Sequence, residues 1–237
     1  MIHKNYSWYS YATSILLIPF YILRHLSIPY HYLRFKNYIK PNYKVSSEVN
    51  FGSSEATNFF LNQLQSANCY LEYGSGNSTV LAQQWGKKIY SVESDKNFFT
   101  FLKPRIQQHY LLVSLGVVFF FSTPVFASIR RFYLQKRAIR YASSIIKIMK
   151  EAGNLPDLVL VDGRYRVLCC LFVYQLLRSN PHKQISIILD DFVNRRYYEI
   201  LHSLFDITII GRVGYLKFKP TDININQLIH HYQYDPR

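Results

Sequence analysis

The chain has 237 residues, 49% of them hydrophobic, enough for one α/β domain with a sizeable core plus an extension. Its three cysteines, Cys69, Cys169 and Cys170, lack metal-ligand spacing and a pairing framework, which excludes a zinc module or a disulfide scaffold and points to a reducing, cytoplasmic setting. The net charge of +14 is concentrated: Met1 to Ser47 holds six Lys/Arg and no acid, Lys96 to Lys150 holds ten and no acid, and no nucleic-acid-binding motif accompanies either.

In chain order, residues 1–44 read as an aromatic-basic extension and 45–237 as the folded domain. Asn5 to Leu23 is uncharged and includes ATSILLIPFYIL ahead of Arg24, Arg34 and Lys36. Three arrangements fit it: a helix lying in an anionic membrane surface, a helix packed on the domain, or a membrane span. Pro19 interrupts the run and its strongly apolar part is short of the roughly 20 residues a span needs, which favours the first arrangement, at the inner face of a membrane. Pro41 to Ser54 reads as a polar linker.

The domain alternates strands with helices. Ser54 to Gln65 is a helix, Cys69 to Tyr73 an apolar strand, Thr79 to Trp85 a helix, and Ile89 to Glu93 a second strand. Asp95 to Gln108 is a helix bent or ended by Pro104. Tyr110 to Phe121 begins an uncharged stretch that runs to Ile129; its β-branched and aromatic content and Pro124 favour a buried strand plus loop over a membrane span. Ile129 to Lys150 places Ile129, Phe132, Ile139, Ala142, Ile146 and Met149 on one helical stripe. Its basic face is either solvated or a dock for anionic lipid or glycan. A strand at Asp157 to Val161, a helix at Tyr165 to Arg178, a strand at Ile185 to Leu189 and a helix at Asn194 to Leu204 follow. Ile207 to Ile210 and Val213 to Phe218 form a hairpin around Gly211-Arg212. The pattern predicts a Rossmann-like, doubly wound, mostly parallel α/β sheet with a C-terminal antiparallel hairpin.

Ligands of such sheets bind beyond the carboxyl ends of the strands, and the predicted tips are acidic: Glu72, Glu93, Asp162, Asp190 and Asp191 supply five of the 14 acids. Gly74 and Gly76 permit a tight turn after the first strand, and Glu93, at the tip of the second, suits a ribose diol. Glu72 ahead of the turn suits a cationic ligand better than a pyrophosphate. Asp162 is positioned to take or orient a hydroxyl proton. Alternatively, Asp162, Asp190 and Asp191 bind a divalent cation such as Mg²⁺ through hard oxygen ligands. Arg164 and Arg166 either pair with these acids or hold an anionic substrate.

These segments, LEYGSGNST, SVESD, PDLVLVDGRYRV and DDFVNRRYY, resemble the class I S-adenosylmethionine-dependent methyltransferases, and more narrowly a bacterial methyltransferase-like group with a DGR[FY]R signature. The resemblance spans about Val49 to Lys219. It implies that Glu72, Tyr73, Gly74, Ser75, Gly76, Ser78, Glu93 and Ser94 hold S-adenosyl-L-methionine, that Asp162 serves the acceptor, and that Arg164 and Arg166 meet it. The acceptor is a glycan, a lipid or a small molecule. The chain departs from the family at Ser78, where a third small glycine is usual, and at Ser114, where an acid is usual. Two rivals remain at this point: an NAD(P)-binding oxidoreductase, which would want a third glycine where Thr79 stands, and a catalytically idle module that binds a membrane or glycan surface.

Overall fold

The computed structural model describes residues 46–107, 109–113 and 135–235. The extension 1–44, Ser114 and most of the uncharged stretch lie outside the described residues, and with them the expectations made for those segments. Among the described residues no helix is long and apolar enough to cross a membrane.

Seven strands form one sheet: β1 (Cys69–Tyr73), β2 (Lys88–Glu93), β3 (His109–Leu112), β4 (Leu158–Val161), β5 (Ser186–Leu189), β6 (Phe205–Ile210) and β7 (Val213–Phe218), in the order β3-β2-β1-β4-β5-β7-β6. The first five pair in parallel; β7 runs antiparallel to both β5 and β6. The strand order reverses between β1 and β4, and that switch point is where such sheets open a crevice. The predicted fold class is therefore the observed one.

Helices α1 (Ser54–Ser66) and α2 (Asn77–Gln84) cover one face of the sheet, against Tyr70, Ile89, Leu158, Leu160 and Ile188. Ser53 caps α1 by accepting the Ala56 N–H, which satisfies one of the otherwise unpaired first-turn donors. The opposite face, built on Leu71, Tyr73, Val92, Val159 and Val161, packs under α4 (Ser144–Ala152) and α5 (Arg166–Arg178). With a layer on each side, β1 has no solvent face, and all five of its residues are buried. α5 is buried all round from Val167 to Tyr174, about two turns, so its sequence shows little amphipathic period. The short α3 (Lys96–Leu102) ends in a 3₁₀ turn at Lys103–Arg105 that contains Pro104.

The structure corrects several expectations. Residues 46–53 are not a free linker: Phe51 is buried and stacks near Phe60 at 4.7 Å, and Asn77 Nδ2 donates to the Glu48 carbonyl at 2.8 Å. The helix expected over Ile129 to Lys150 is described from residue 135 and is interrupted by a turn at Ser143. Its buried stripe is Ala138, Tyr141, Ala142, Ile145, Ile148 and Met149, while Ile139 and Ile146 flank it. Asn194 to Leu204 forms a 3₁₀ segment at Arg196–Ser203 rather than an α-helix. A last helix, α6 (Ile225–Tyr232), capped by Asn224 and packed on α5, follows the hairpin where no element was expected.

Candidate functional site

Backbone hydrogen bonds carry the sheet past the strand ends and fix the tips. Gly74 N–H donates to the Val92 carbonyl, Asp162 N–H to the Tyr73 carbonyl, and Asp190 N–H to the Val161 carbonyl, at 2.8, 2.9 and 3.1 Å. At the switch point the two turns touch through backbone. A Cβ on Gly74 would lie 2.8 Å from both N and Cα of Gly163, and Gly74 has φ +92°, so a side chain there is excluded twice. A Cβ on Gly163 would collide with Tyr141 Oη and stand 3.0 Å from the Tyr73 carbonyl. Gly76 differs: a Cβ there meets nothing within 4 Å, so its surroundings are open.

Above this contact lies a cleft of about 420 Å³. One wall is Gly74, Ser75, Glu93, Ser94 and Asp95; the other is Asp162, Gly163, Arg164, Arg166 and Arg195. The volume falls in the range of small-molecule sites. The structure thus brings Gly74, Ser75, Glu93, Ser94, Asp162, Arg164 and Arg166 together around one space. Asp95, Gly163 and Arg195 join them.

Four residues expected to touch a cofactor, Glu72, Tyr73, Gly76 and Ser78, do not line the cleft. Glu72 is fully buried on the α1/α2 side of β1, one residue out of phase with the crevice. Its Oε2 accepts from Tyr70 Oη at 2.9 Å and Ser78 Oγ at 2.8 Å, and its Oε1 from Ser91 Oγ at 2.7 Å and from Thr79 Oγ1. Burial raises the Glu72 pKa and the four hydroxyls pull it back. Thr79 Oγ1 also accepts the Gly76 N–H at 2.9 Å, so the acid holds the glycine turn from beneath through Thr79. Ser78 belongs to this network. Tyr73 points to the other face, where its hydroxyl donates to the Ala142 carbonyl at 2.7 Å.

Glu93 is nearly buried at the tip of β2. Its Oε2 accepts from Ser75 N–H at 3.1 Å and Ser75 Oγ at 2.6 Å; its Oε1 accepts from the N–H groups of Ser94 and Asp95 at 2.6 and 2.7 Å. With the Ser94 hydroxyl donating to Oε1 at 3.4 Å, five donors use the carboxylate's capacity. A diol reaching Oε2 of this acid must displace the Ser75 hydroxyl, the more closely held of the two hydroxyl donors that can swing away.

Each of the three aspartates is met by at least one arginine. Asp190, 3% exposed at its side chain, takes a two-pronged contact from Arg212, with Nε at 2.9 Å and Nη2 at 2.8 Å. Asp191 faces Arg195 at 3.0 Å, with Arg212 at 3.5 Å and Arg166 at 3.8 Å. Asp162 binds Arg166 Nη2 at 2.9 Å, and the same guanidinium donates to the Gly163 and Asp190 carbonyls. The expectation that Asp162, Asp190 and Asp191 form a metal centre is corrected: their charges are met by guanidinium groups, and no group of three potential ligands among the described residues is gathered to hold a metal ion. Arg166 is likewise a clamp between β4 and β5 rather than a free substrate hand, whereas the Arg164 side chain makes no hydrogen bond or ion pair among the described residues, its carbonyl accepting from Cys169 Sγ.

The Asp162 carboxyl is pushed up to about 7. Withdrawal from water in the cleft raises it, the like charges of Asp190 and Asp191 raise it further, and Arg166 opposes both. Since 41% of this side chain remains exposed, water screens the first cause, and the neighbouring acids weigh correspondingly more. Sequence reasoning missed Arg212, which lies 22 residues from Asp190 in the hairpin turn; the only signal was the need of two adjacent acids for counter-charge.

The parallel sheet, its reversal at β1/β4, and the antiparallel hairpin define a Rossmann-like α/β domain. A methyltransferase-like protein from Silicibacter pomeroyi shares this fold, with a TM-score of 0.62 and 24% identity over 81% of this chain and 100% of that one. No family model matches the chain, and no curated protein matches it.

Proposed function

We propose that the protein is an S-adenosylmethionine-dependent methyltransferase acting on an oxygen or nitrogen of a small acceptor. The observation that carries this reading is the cleft at the switch point, where Glu93 crowns β2 and Asp162 crowns β4 across the Gly74–Gly163 contact. The residues present fit an adenosyl group. The space beside Gly76 is open, Glu93 offers a carboxylate to a diol once Ser75 Oγ turns aside, and Asp95 and Asp162 suit a cationic ligand over a pyrophosphate. Bound there, the cofactor supplies a methyl group already activated by its sulfonium.

The chain's own residues orient and deprotonate. Ser75, Glu93 and Ser94 would hold the nucleoside, and Gly74 keeps the turn low enough to admit it. Asp162, poised near pH 7 and held by Arg166, accepts the proton of an acceptor hydroxyl. Holding the acceptor against the cleft floor lowers the barrier by several kcal/mol, and the base adds less. Arg164, without an internal counter-ion among the described residues, attracts an anionic part of the acceptor.

Calorimetry with S-adenosylmethionine, S-adenosylhomocysteine and NAD tests the cofactor; saturable binding of the first two and none of NAD is expected. A methyl-transfer assay on fractionated cell extract tests the base. Labelling should fall at least tenfold in Asp162→Asn, and equal labelling would remove Asp162 from the role given to it. Failure of all three ligands to bind would leave an idle methyltransferase-like module.

A further inference from the structure

Residues 135–142 and α4 form a nearly continuous helical run. The turn between them at Ser143 stays close to helical, with φ −79° and ψ −4°, and its N–H donates to the Ile139 carbonyl at 2.8 Å. At about 3.6 residues per turn, Ala138, Tyr141, Ala142, Ile145, Ile148 and Met149 fall in one arc of about 120°, and all of them are buried in the core. Lys136, Arg140, Lys147 and Lys150 fall in an arc of about 80° centred on the opposite side, and all of them are exposed. At about 1.5 Å per residue this basic stripe runs about 21 Å along the axis.

The stripe keeps its positive charge. Glu151 is the only acid between 135 and 152, so four bases stand against one acid. It faces Lys147 at 3.8 Å with the two side chains 68% and 71% exposed, so water screens the pair and it holds Lys147 only weakly. Lys88 of β2 lines one hollow with Lys147 and Glu151 and carries the positive face onto the sheet. Like charges three and four residues apart, as in Lys136 with Arg140 and Lys147 with Lys150, oppose helix formation, and an anionic partner relieves that repulsion.

Two observations select the kind of partner. Ile139 and Ile146 stand half-buried along one shoulder of the stripe, and within 135–152 no aromatic side chain lies in its arc. Aliphatic shoulders beside bases suit the headgroup boundary of a bilayer, whereas single-stranded nucleic acid is held on aromatic platforms. The sequence supplies a second signal of the same chemistry: Met1 to Ser47 carries six Lys/Arg and no acid, with an uncharged run from Asn5 to Leu23, and stable surface attachment takes two such signals. We infer that Lys136, Arg140, Lys147 and Lys150 dock the protein on an anionic lipid bilayer, with Ile139 and Ile146 at the headgroup boundary. The inference does not depend on the methyltransferase reading.

The test is flotation of the full chain with vesicles of about 30% phosphatidylglycerol in phosphatidylcholine, against vesicles of phosphatidylcholine alone. Each base beside an anionic surface strengthens binding about fivefold, about 1 kcal/mol, so the triple substitution Arg140→Gln, Lys147→Gln and Lys150→Gln should weaken it about a hundredfold. All three side chains are exposed, and circular dichroism checks that the variant folds. Glu151→Gln removes the one acid and should tighten binding about fivefold, a gain that structural damage cannot mimic. Equal binding to both kinds of vesicle, or to neither, overturns the proposal. So does undiminished binding by the triple variant, which assigns attachment to the extension alone, or Glu151→Gln that binds no tighter than wild type. Tighter binding to duplex DNA or poly(U) RNA that the triple variant loses also overturns it, because it assigns the face to nucleic acid. Calorimetric affinity for S-adenosylmethionine should be the same in the triple variant and wild type, so docking and the enzymatic reading stand or fall separately.

Discussion

Replacing Glu72 by alanine removes the one acceptor that four buried hydroxyls share. Tyr70, Ser78, Thr79 and Ser91 would each lose a bond to a charged group, in a place that water does not reach. Unmade buried hydrogen bonds cost about 1–3 kcal/mol apiece, and the void left by the side chain adds to this. Two effects reduce the total: hydroxyls can turn to bond one another, and the mutant no longer keeps an acid out of water, a burden visible in the raised Glu72 pKa. A net loss of about 3–5 kcal/mol follows, a large share of the 5–15 kcal/mol typical of a domain. With a urea slope of about 2 kcal/mol/M, the unfolding midpoint should drop by about 2 M. Glu72→Gln keeps the shape and one oxygen. Two hydroxyls must then accept where they donated, which they can do, at about 1–2 kcal/mol. Urea unfolding followed by tryptophan fluorescence and circular dichroism measures both. Because Glu72 does not line the cleft, folded Glu72→Gln should keep wild-type affinity for S-adenosylmethionine. A midpoint for Glu72→Ala within 0.3 M of wild type, a shift of about 0.6 kcal/mol, would refute the hub.

The two glycines of the turn should separate under substitution. Gly74→Ala forces a side chain against the Gly163 backbone at φ +92° and should destabilise by about 2–4 kcal/mol, whereas Gly76→Ala should cost about 1 kcal/mol or less in thermal unfolding but weaken S-adenosylmethionine binding measured by calorimetry. Methyl transfer should rise with pH through about 7 as Asp162 ionises, and Asp191→Asn, by removing a like charge, should move that rise to lower pH; an unmoved profile would assign the titration elsewhere. The same raised pKa means that the stability Asp162 contributes is fully present below about pH 4 and is lost by about pH 7, which denaturation across that window checks against Asp162→Asn. Arg212→Gln leaves Asp190 buried without its fork and should destabilise by about 3–5 kcal/mol at pH 8, with part recovered at pH 5.

Much of the architecture was legible because a parallel sheet with helices on both faces imposes its rhythm on the chain: LEY, VLV and IIL are buried strands bounded by turns, and strand ends name their own tips. The glycine turn and the acid 17 residues beyond it, Gly76 to Glu93, marked one wall of the cleft, and Asp162 the other. Side-chain direction was less legible. Glu72 and Glu93 look alike in the sequence as acids near strand ends, yet Glu93 is the last residue of its strand and Glu72 is one short of it, which turns its carboxylate under α2. Pairing across the fold was not legible at all. Arg212 reaches Asp190 because β7 returns beside β5, a consequence of sheet order that no local pattern encodes. The 3₁₀ segment after Asn194 was hidden by an apolar spacing that suits either helix type.

The bare contact of Gly74 with Gly163 has a practical consequence for anyone reshaping this protein. The two halves of the sheet meet there as a hinge pin meets its socket, with no side chain available to trim or enlarge, so variation at 74 or 163 can only break the joint. The stretch from Phe192 to Arg196 is the opposite: its side chains face outward or line a hollow, and none but Phe192 and Arg195 is tied into the frame. A library aimed at reshaping this surface belongs at Val193, Arg196 and Ile209, leaving the joint untouched.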